Sequence, residues 1–261
     1  MQPKRDGSAE ERAPRERPDD IQAYYRDPAV VGQYLRRRTA QPLNGMLHRR
    51  QVQFLNDVLA ERRPRRVLEV APGPARLTAE LDYAGHGLAV DGSAEMLAVA
   101  RQRLQGSRGH WLVVRGDAFS LPVAGGCADL AFAIRFVRRF GPDVRRQLYA
   151  EIRRTLSPAG ALIIDAQNRA VSLPHRRQKG LGTYPVFDAL YDRDELVAEI
   201  EAAGFRVLRM EGMVRHFGVQ SRLNRLRRHG LEAVARGMIG LIEHLPSRAP
   251  STWMVLAEVV R

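Results

Sequence analysis

The stretch Arg66-Val67-Leu68-Glu69-Val70-Ala71-Pro72-Gly73-Pro74-Ala75-Arg76-Leu77-Thr78 decides the fold. A short apolar run ending at a carboxylate, small and turn-forming residues, and Leu77 resuming helical spacing predict a buried strand, a tight turn and a helix start. In open sheets built from such units, ligands sit beyond the carboxyl ends of the strands, where a turn without bulky side chains lets a small molecule lie against the backbone. A dinucleotide site requires G-x-G-x-x-G, whose positions here are Ala71, Gly73 and Arg76. Arginine cannot supply the close helix-on-strand packing of the third glycine. The G-x-x-x-x-G-K-[ST] spacing of a triphosphate site is also missing, which leaves a ligand with an adenosine end and no phosphates.

The same residues resemble motif I of class I S-adenosylmethionine (SAM) dependent methyltransferases, an acidic residue followed by alternating glycines. Glu69 stands at the acidic position, and Ala71, Gly73 and Ala75 at the small ones. The resemblance implies SAM as cofactor and these four residues as part of its site. A carboxylate beside the loop also suits a ligand that carries a sulfonium and an ammonium.

Around that corner the chain is ordinary in bulk and unusual in charge. It has 261 residues, 44% hydrophobic and 27% charged, enough for one large core. No apolar run reaches the length of a membrane span and no signal core opens the chain, so a cytoplasmic location is expected. Cys127 is the single cysteine, which rules out an internal disulfide framework and a multi-cysteine metal site; no metal is expected. The net charge is +13, yet Lys4 and Lys179 are the only lysines and the arginines are spread along the whole chain. That distribution favours anionic partners over cationic ones without singling out nucleic acid.

Residues 1–19 are charged and poor in large apolar side chains, and are expected to form a disordered tail. A single domain is expected over 20–261, opening with a helical cap at 20–62: one or two short helices broken near Pro28, then a helix from Pro42 to Ala60. In related enzymes, the resemblance implies, an N-terminal helix closes over the cofactor and an aromatic residue contacts the substrate; Tyr24 and Tyr25 are the candidates. Core packing is the competing role for both.

Gly87–Asp91 is the expected second strand, and Asp91 ends it about twenty residues after the first motif, the spacing of ribose-binding acids. Ser93 is expected to cap a helix to Leu104. By resemblance Asp91 binds the ribose, with Gly92 and Met96 beside the adenine. A third strand at His110–Val114 leads to Gly116-Asp117-Ala118, similar to the family's adenine motif. There Asp117 would accept from the exocyclic amine and the Ala118 N–H would donate to the ring.

The fourth strand, Asp129–Ile134, ends at Arg135, which has three readings: a partner for the methionine carboxylate, for an anionic substrate, or for a helix carboxylate. Quinone-biosynthesis C-methyltransferases often carry histidine in this segment, whereas arginines stand here, so no histidine role is carried across. A helix over Pro142–Leu156, stopped by Ser157-Pro158-Ala159-Gly160, precedes a fifth strand at Ala161–Asp165. Asp165 and Asn168 are candidates to orient or deprotonate a substrate. Residues 166–190 lack periodicity and read as a lid loop, with His175 and Tyr184 as candidate site residues.

A helix from Tyr191 to Ala203 and a strand at Phe205–Met210 follow. Residues 214–248 form a helical insertion, basic at first and including the substrate candidate His216, then apolar; a substrate cap, an interfacial helix and a homodimer contact are its three readings. The last strand, Trp253–Val260, is antiparallel by resemblance. The expected architecture is α/β: a Rossmann-like, doubly wound, seven-stranded sheet with an antiparallel last strand, N-terminal helices and the insertion before that strand.

For the acceptor, the Asn/Asp-Pro-Pro-Tyr motif of nucleic-acid amino methyltransferases, a Pro-Cys nucleophile and any appended RNA-binding module are all missing. A small organic molecule with an aromatic or acidic group is the expected acceptor. An RNA base and a non-catalytic binding module are the alternatives.

Overall fold

The computed structural model describes residues 15, 17–180 and 183–260. Most of the expected disordered tail therefore lies outside the described residues. Its described end is not coil: helix α1 (Pro18–Arg26) begins at Pro18, with Asp19 and Asp20 in the first turn where the helix dipole favours acids. The break near Pro28 is a handover. The Asp27 side chain accepts from the Ala29 N–H at 2.8 Å and starts α2 (Pro28–Thr39). Helix α3 (Pro42–Arg62) completes the N-terminal set.

The sheet is built from β1 (Arg66–Val70), β2 (His86–Asp91), β3 (His110–Arg115), β4 (Ala128–Ala133), β5 (Leu156–Asn168), the two-residue β6 (Leu190–Tyr191), β7 (Phe205–Met213) and β8 (Thr252–Val259). Its order is β3-β2-β1-β4-β5-β8-β7, with β6 paired to β5 outside that path. β1 to β6 pair in parallel; β8 runs antiparallel to both β5 and β7. The order turns back between β1 and β4, which opens a crevice beyond their carboxyl ends.

Side-chain alternation along β1 sends its residues to two cores. Val67 packs with Phe54, Leu55 and Val58 of α3. Leu68 and Val70 join Tyr149 and Ile152 of α5 (Pro142–Thr155) and Leu196 and Ile200 of α7 (Arg193–Ala202). Ser93 caps α4 (Ala94–Leu104), accepting from the Met96 N–H at 3.1 Å. The insertion is helical as expected, with α8 (Phe217–Leu223) and α9 (Glu232–His244). Buried Glu243 ties it down by accepting from the Val214 and Arg215 N–H groups at 3.0 and 2.9 Å.

Three expectations are corrected. No α-helix follows the Arg66–Thr78 stretch: only a 3-10 turn at Thr78–Glu80 forms, because Arg76 and Thr78 turn inward to buried partners and the chain is extended again at Leu81. The fifth strand is far longer than Ala161–Asp165, since Ser157–Gly160 stay extended and the register with β4 slips between Ala128 and Leu130. Within 166–190 the structure places helix α6 (Arg169–Lys179), not an irregular loop. Asn168 caps it through the Ala170 N–H at 3.0 Å, and its inward face is Ser172 and Arg176, polar residues that hide helical periodicity from a hydrophobic reading.

Candidate functional site

Two neighbouring cavities lie at the carboxyl end of the sheet. The first, about 500 Å³, is bounded by the ends of β1, β2 and β3 and roofed by α1. The loop after β1 turns through left-handed conformations at Ala71, Gly73 and Ala75, with φ of 57°, 57° and 52°. These turns aim backbone N–H groups back at β2. Asp91 accepts from the Gly73 N–H at 2.9 Å through Oδ2 and from the Ser93 N–H at 2.8 Å through Oδ1. Burial pushes the Asp91 carboxyl up, and these N–H donors draw it back down. A carboxylate offers about four lone-pair directions, so two remain for a vicinal diol.

Met96, buried at the N-terminal end of α4, and Gly73 line the same cavity, and a side chain at Gly73 would point to the Met96 sulfur, 4.0 Å from its Cβ position. Gly92 carries Gln22 of α1 across it: a Cβ there would stand 2.4 Å from Gln22 Nε2. Asp117 turns the chain after β3, accepting from the Phe119 N–H at 3.0 Å. With Ala118 it lines the cavity, as do the aromatic rings of Phe136 and Phe140. A slot with apolar walls, a diol-ready carboxylate at one end and a polar turn at the other fits an adenosyl group.

Two residues expected here are elsewhere. Glu69 is 4% exposed and faces the α3 side of the sheet, taking the Thr78 hydroxyl rather than lining the cavity. Burial pushes its carboxyl up to about 8, against the pull of the Thr78 hydrogen bond and of Arg76. Ala75 is wholly buried against Ala100 and Leu104. Both support the loop from below.

The second cavity, about 390 Å³, lies between β5, the N-terminal helices and α6. It gathers Asp165, His175, Tyr184, Tyr24 and Tyr25 from the sequence candidates. Tyr25, Tyr34, Arg135 and Arg139 line both cavities and form their common wall. Asp165 is committed: it accepts from the Arg135 N–H at 2.5 Å and pairs with Arg138 Nε at 3.2 Å. Asp188 pairs with Arg138 and Arg139, both at 2.9 Å, and with Arg176 at 2.8 Å. These cations hold Asp188 below the usual carboxylate range although burial raises it. Burial also raises the Tyr34 phenol, but Arg38, Arg135, Arg76 and Arg139 outweigh it and bring it down to about 8. His175 lies edge-on to Phe217 at 4.8 Å, its imidazole pushed down by burial and by Lys179, Arg176 and Arg225.

Asn168 and His216 line neither cavity. Asn168 caps α6 and donates to the Pro250 carbonyl at 2.8 Å, and His216 Nε2 lies 3.0 Å from the Pro246 carbonyl. Sequence reading missed Tyr34, Arg38 and the Arg138–Asp188–Arg176 cluster. Tyr34 sits at an apolar position of its helix, and the cluster joins the 3-10 turn Val137–Arg139 after β4, α6 and the segment after α6, which no local pattern connects. Among the described residues no metal-holding group of His, Cys, Asp and Glu occurs, and no helix is long and apolar enough to cross a membrane.

Comparison with known proteins agrees with this geometry. Residues 67–160 match the family profile described as a methyltransferase domain. Over 131 residues the chain is 34% identical to the ubiquinone/menaquinone biosynthesis C-methyltransferase UbiE of Azotobacter vinelandii, covering 47% of this chain and 50% of that protein. Over 111 residues it is 32% identical to the demethylmenaquinone methyltransferase of Thermus thermophilus, covering 41% and 50%. The chain thus spans about half the length of the relatives it matches. Among solved structures, magnesium protoporphyrin IX methyltransferase from Synechocystis with bound S-adenosylhomocysteine superposes with a TM-score of 0.62 at 14% identity, covering 92% of this chain and 99% of that one. A SAM-dependent methyltransferase from Thermotoga maritima gives 0.60 at 17% identity, with 91% and 99% covered. At such identities the likeness is one of fold. Residues 67–160 are thus similar to a methyltransferase domain, and the sheet around them has the fold of these solved methyltransferases.

Proposed function

We propose that this class I SAM-dependent methyltransferase domain transfers a methyl group to a small organic acceptor, carrying an aromatic or acidic group, held in the second cavity. The observation that carries the reading is the common wall of Tyr25, Tyr34, Arg135 and Arg139: each cavity opens on the same four side chains, as two reacting molecules require.

In this reading Asp91 takes the ribose hydroxyls, Asp117 and the Ala118 N–H meet the adenine edge, and Gly92 and Met96 flank the ring. Ala71 and Gly73 bring backbone against the cofactor, and Glu69 and Ala75 hold that loop in shape. Bound there, SAM supplies an electrophilic methyl group on sulfur. The chain's own residues position the acceptor and exclude water. Tyr24, Tyr25 and Tyr184 offer aromatic faces to a ring, and His175, kept neutral, is a candidate proton acceptor for a hydroxyl or amine. Asp165, bonded to the Arg135 N–H and paired with Arg138, orients Arg135 in this reading. Asn168 and His216, away from both cavities, have no part in it.

A single domain over residues 20–261 and a cytoplasmic setting belong to the same reading. The test is titration of the purified protein with SAM, followed by transfer of labelled methyl to an extract of small metabolites. A binding isotherm and a labelled product, both abolished in Asp91→Ala, support it; a signal no larger than that variant's overturns it.

A further inference from the structure

The second cavity holds more positive charge than the protein itself neutralises. Arg38, Arg135, Arg138, Arg139 and Arg176 line it against two carboxylates, Asp165 and Asp188. Both carboxylates are already taken by Arg138, Arg139, Arg176 and the Arg135 backbone N–H. Arg38 and Arg135 enter no ion pair among the described residues, and the Nε of each is buried with no hydrogen-bond partner. Two unpaired guanidinium groups on the lining of one cavity repel each other, a cost that a bound anion removes.

Other observations show the same unbalanced field. Burial, then Arg38, Arg138 and Arg139, hold the Arg135 guanidinium well below its usual range. The Tyr34 phenol is drawn down to about 8, though burial alone would raise it. Arg135 also adopts φ of 63°, a left-handed conformation uncommon outside glycine, fixed by the bond from its N–H to Asp165. That strain sits where β4 delivers the side chain to the boundary of the two cavities. The Arg38 guanidinium lies 5.1 Å over the Tyr34 ring, which holds its plane.

We propose that the acceptor is a small aromatic carboxylic acid whose carboxylate is gripped by Arg38 and Arg135, with its ring among Tyr24, Tyr25 and Tyr34. Guanidinium forks match a carboxylate in a plane, and the bound anion supplies the charge the cavity lacks. It also offsets the repulsion between these arginines and a sulfonium next door, a point that rests on the methyltransferase reading. Of the roles open to Arg135, this assigns it to the acceptor.

Benzoate and its neutral isostere benzamide test the assignment by calorimetric titration, with and without S-adenosylhomocysteine. Benzoate is expected to bind at least ~10-fold more tightly, the equivalent of one charge-assisted hydrogen bond. Arg38→Gln and Arg135→Gln should each bring benzoate to the level of benzamide, and in Arg38→Gln, whose residue lines the second cavity alone, S-adenosylhomocysteine affinity should stay within about threefold, which also shows that variant folds. Equal binding of the two probes, binding of neither, or a preference that survives both variants overturns the proposal. So does an Arg135→Gln variant that loses S-adenosylhomocysteine and keeps benzoate. If the parent protein fails to bind S-adenosylhomocysteine, the transferase reading falls, and the probe preference measured without it still decides this one.

Discussion

The Asp91 carboxylate is bonded to the Gly73 N–H at 2.9 Å, so the end of the second strand clamps the loop that follows the first. The same group is therefore a brace for the loop and the proposed ribose ligand. Asp91→Ala removes both, and S-adenosylhomocysteine affinity is expected to fall about 100-fold, the sum of two hydrogen bonds to a charged acceptor at the low end of their range. Asp91→Asn, which keeps an acceptor oxygen, should fall less. Calorimetric titration of the two variants measures the difference.

Ala71 and Ala75 both hold positive φ, where a Cβ is strained by about 1 kcal/mol relative to glycine. Their surroundings differ: Ala71 is half-buried at the cavity mouth, whereas the Ala75 methyl is fully packed against Ala100 and Leu104. Ala71→Gly should stabilise the protein by about 1 kcal/mol by relieving that strain. Ala75→Gly should gain nothing, because the lost methyl packing offsets the relief at roughly 0.8 kcal/mol per buried carbon. Urea titration of both variants checks the contrast.

The Glu69 carboxyl, raised to about 8 by burial, keeps its proton in the folded protein over a pH range where the unfolded chain, near 4.5, has released it. A raised acid makes stability fall as pH climbs between those two values. Glu69→Gln retains an acceptor for the Thr78 hydroxyl and cannot ionise. Its melting temperature should match the parent's below about 4.5 and exceed it by a growing margin up to about 8. A series of thermal melts across that range reads the crossover.

Arg138 is 2% exposed and bridges Asp165 and Asp188. Replacing it with methionine fills similar space and leaves the buried Asp165 without a cation, while Asp188 keeps Arg139 and Arg176, a loss of roughly 3–5 kcal/mol. Arg146, whose Asp143 partner is on the surface one helical turn away, is the control: Arg146→Ala should change stability by no more than about 0.5 kcal/mol. Denaturant midpoints of the pair separate the buried network from surface charge.

The parts of this molecule that were readable from its residues are those whose physics is local. The apolar run Val67–Val70, the carboxylate at the end of Gly87–Asp91 and the Ser93 cap each declare themselves within a few residues, and all three lie where expected. The helix expected after the first strand did not form because Arg76 spends its side chain on His48 and Gln51, partners about 25 residues earlier in the chain. Glu69 was expected beside the ligand on the strength of its motif, and strand alternation instead sends it below the loop. The arginine cluster was invisible for a similar reason: Arg138, Asp188 and Arg176 become neighbours only through the turn after β4, α6 and the segment after α6. What spacing makes legible thus ends at the first cavity, and the second is assembled by topology.

Tyr25 and Tyr34, on two short helices joined at Asp27, belong to both cavities at once. The N-terminal helices, with Arg135 and Arg139, are therefore a party wall between the two compartments. In the proposed reaction both ligands meet the same two helices, so a substitution at Tyr25 or Tyr34 acts on the two sites together.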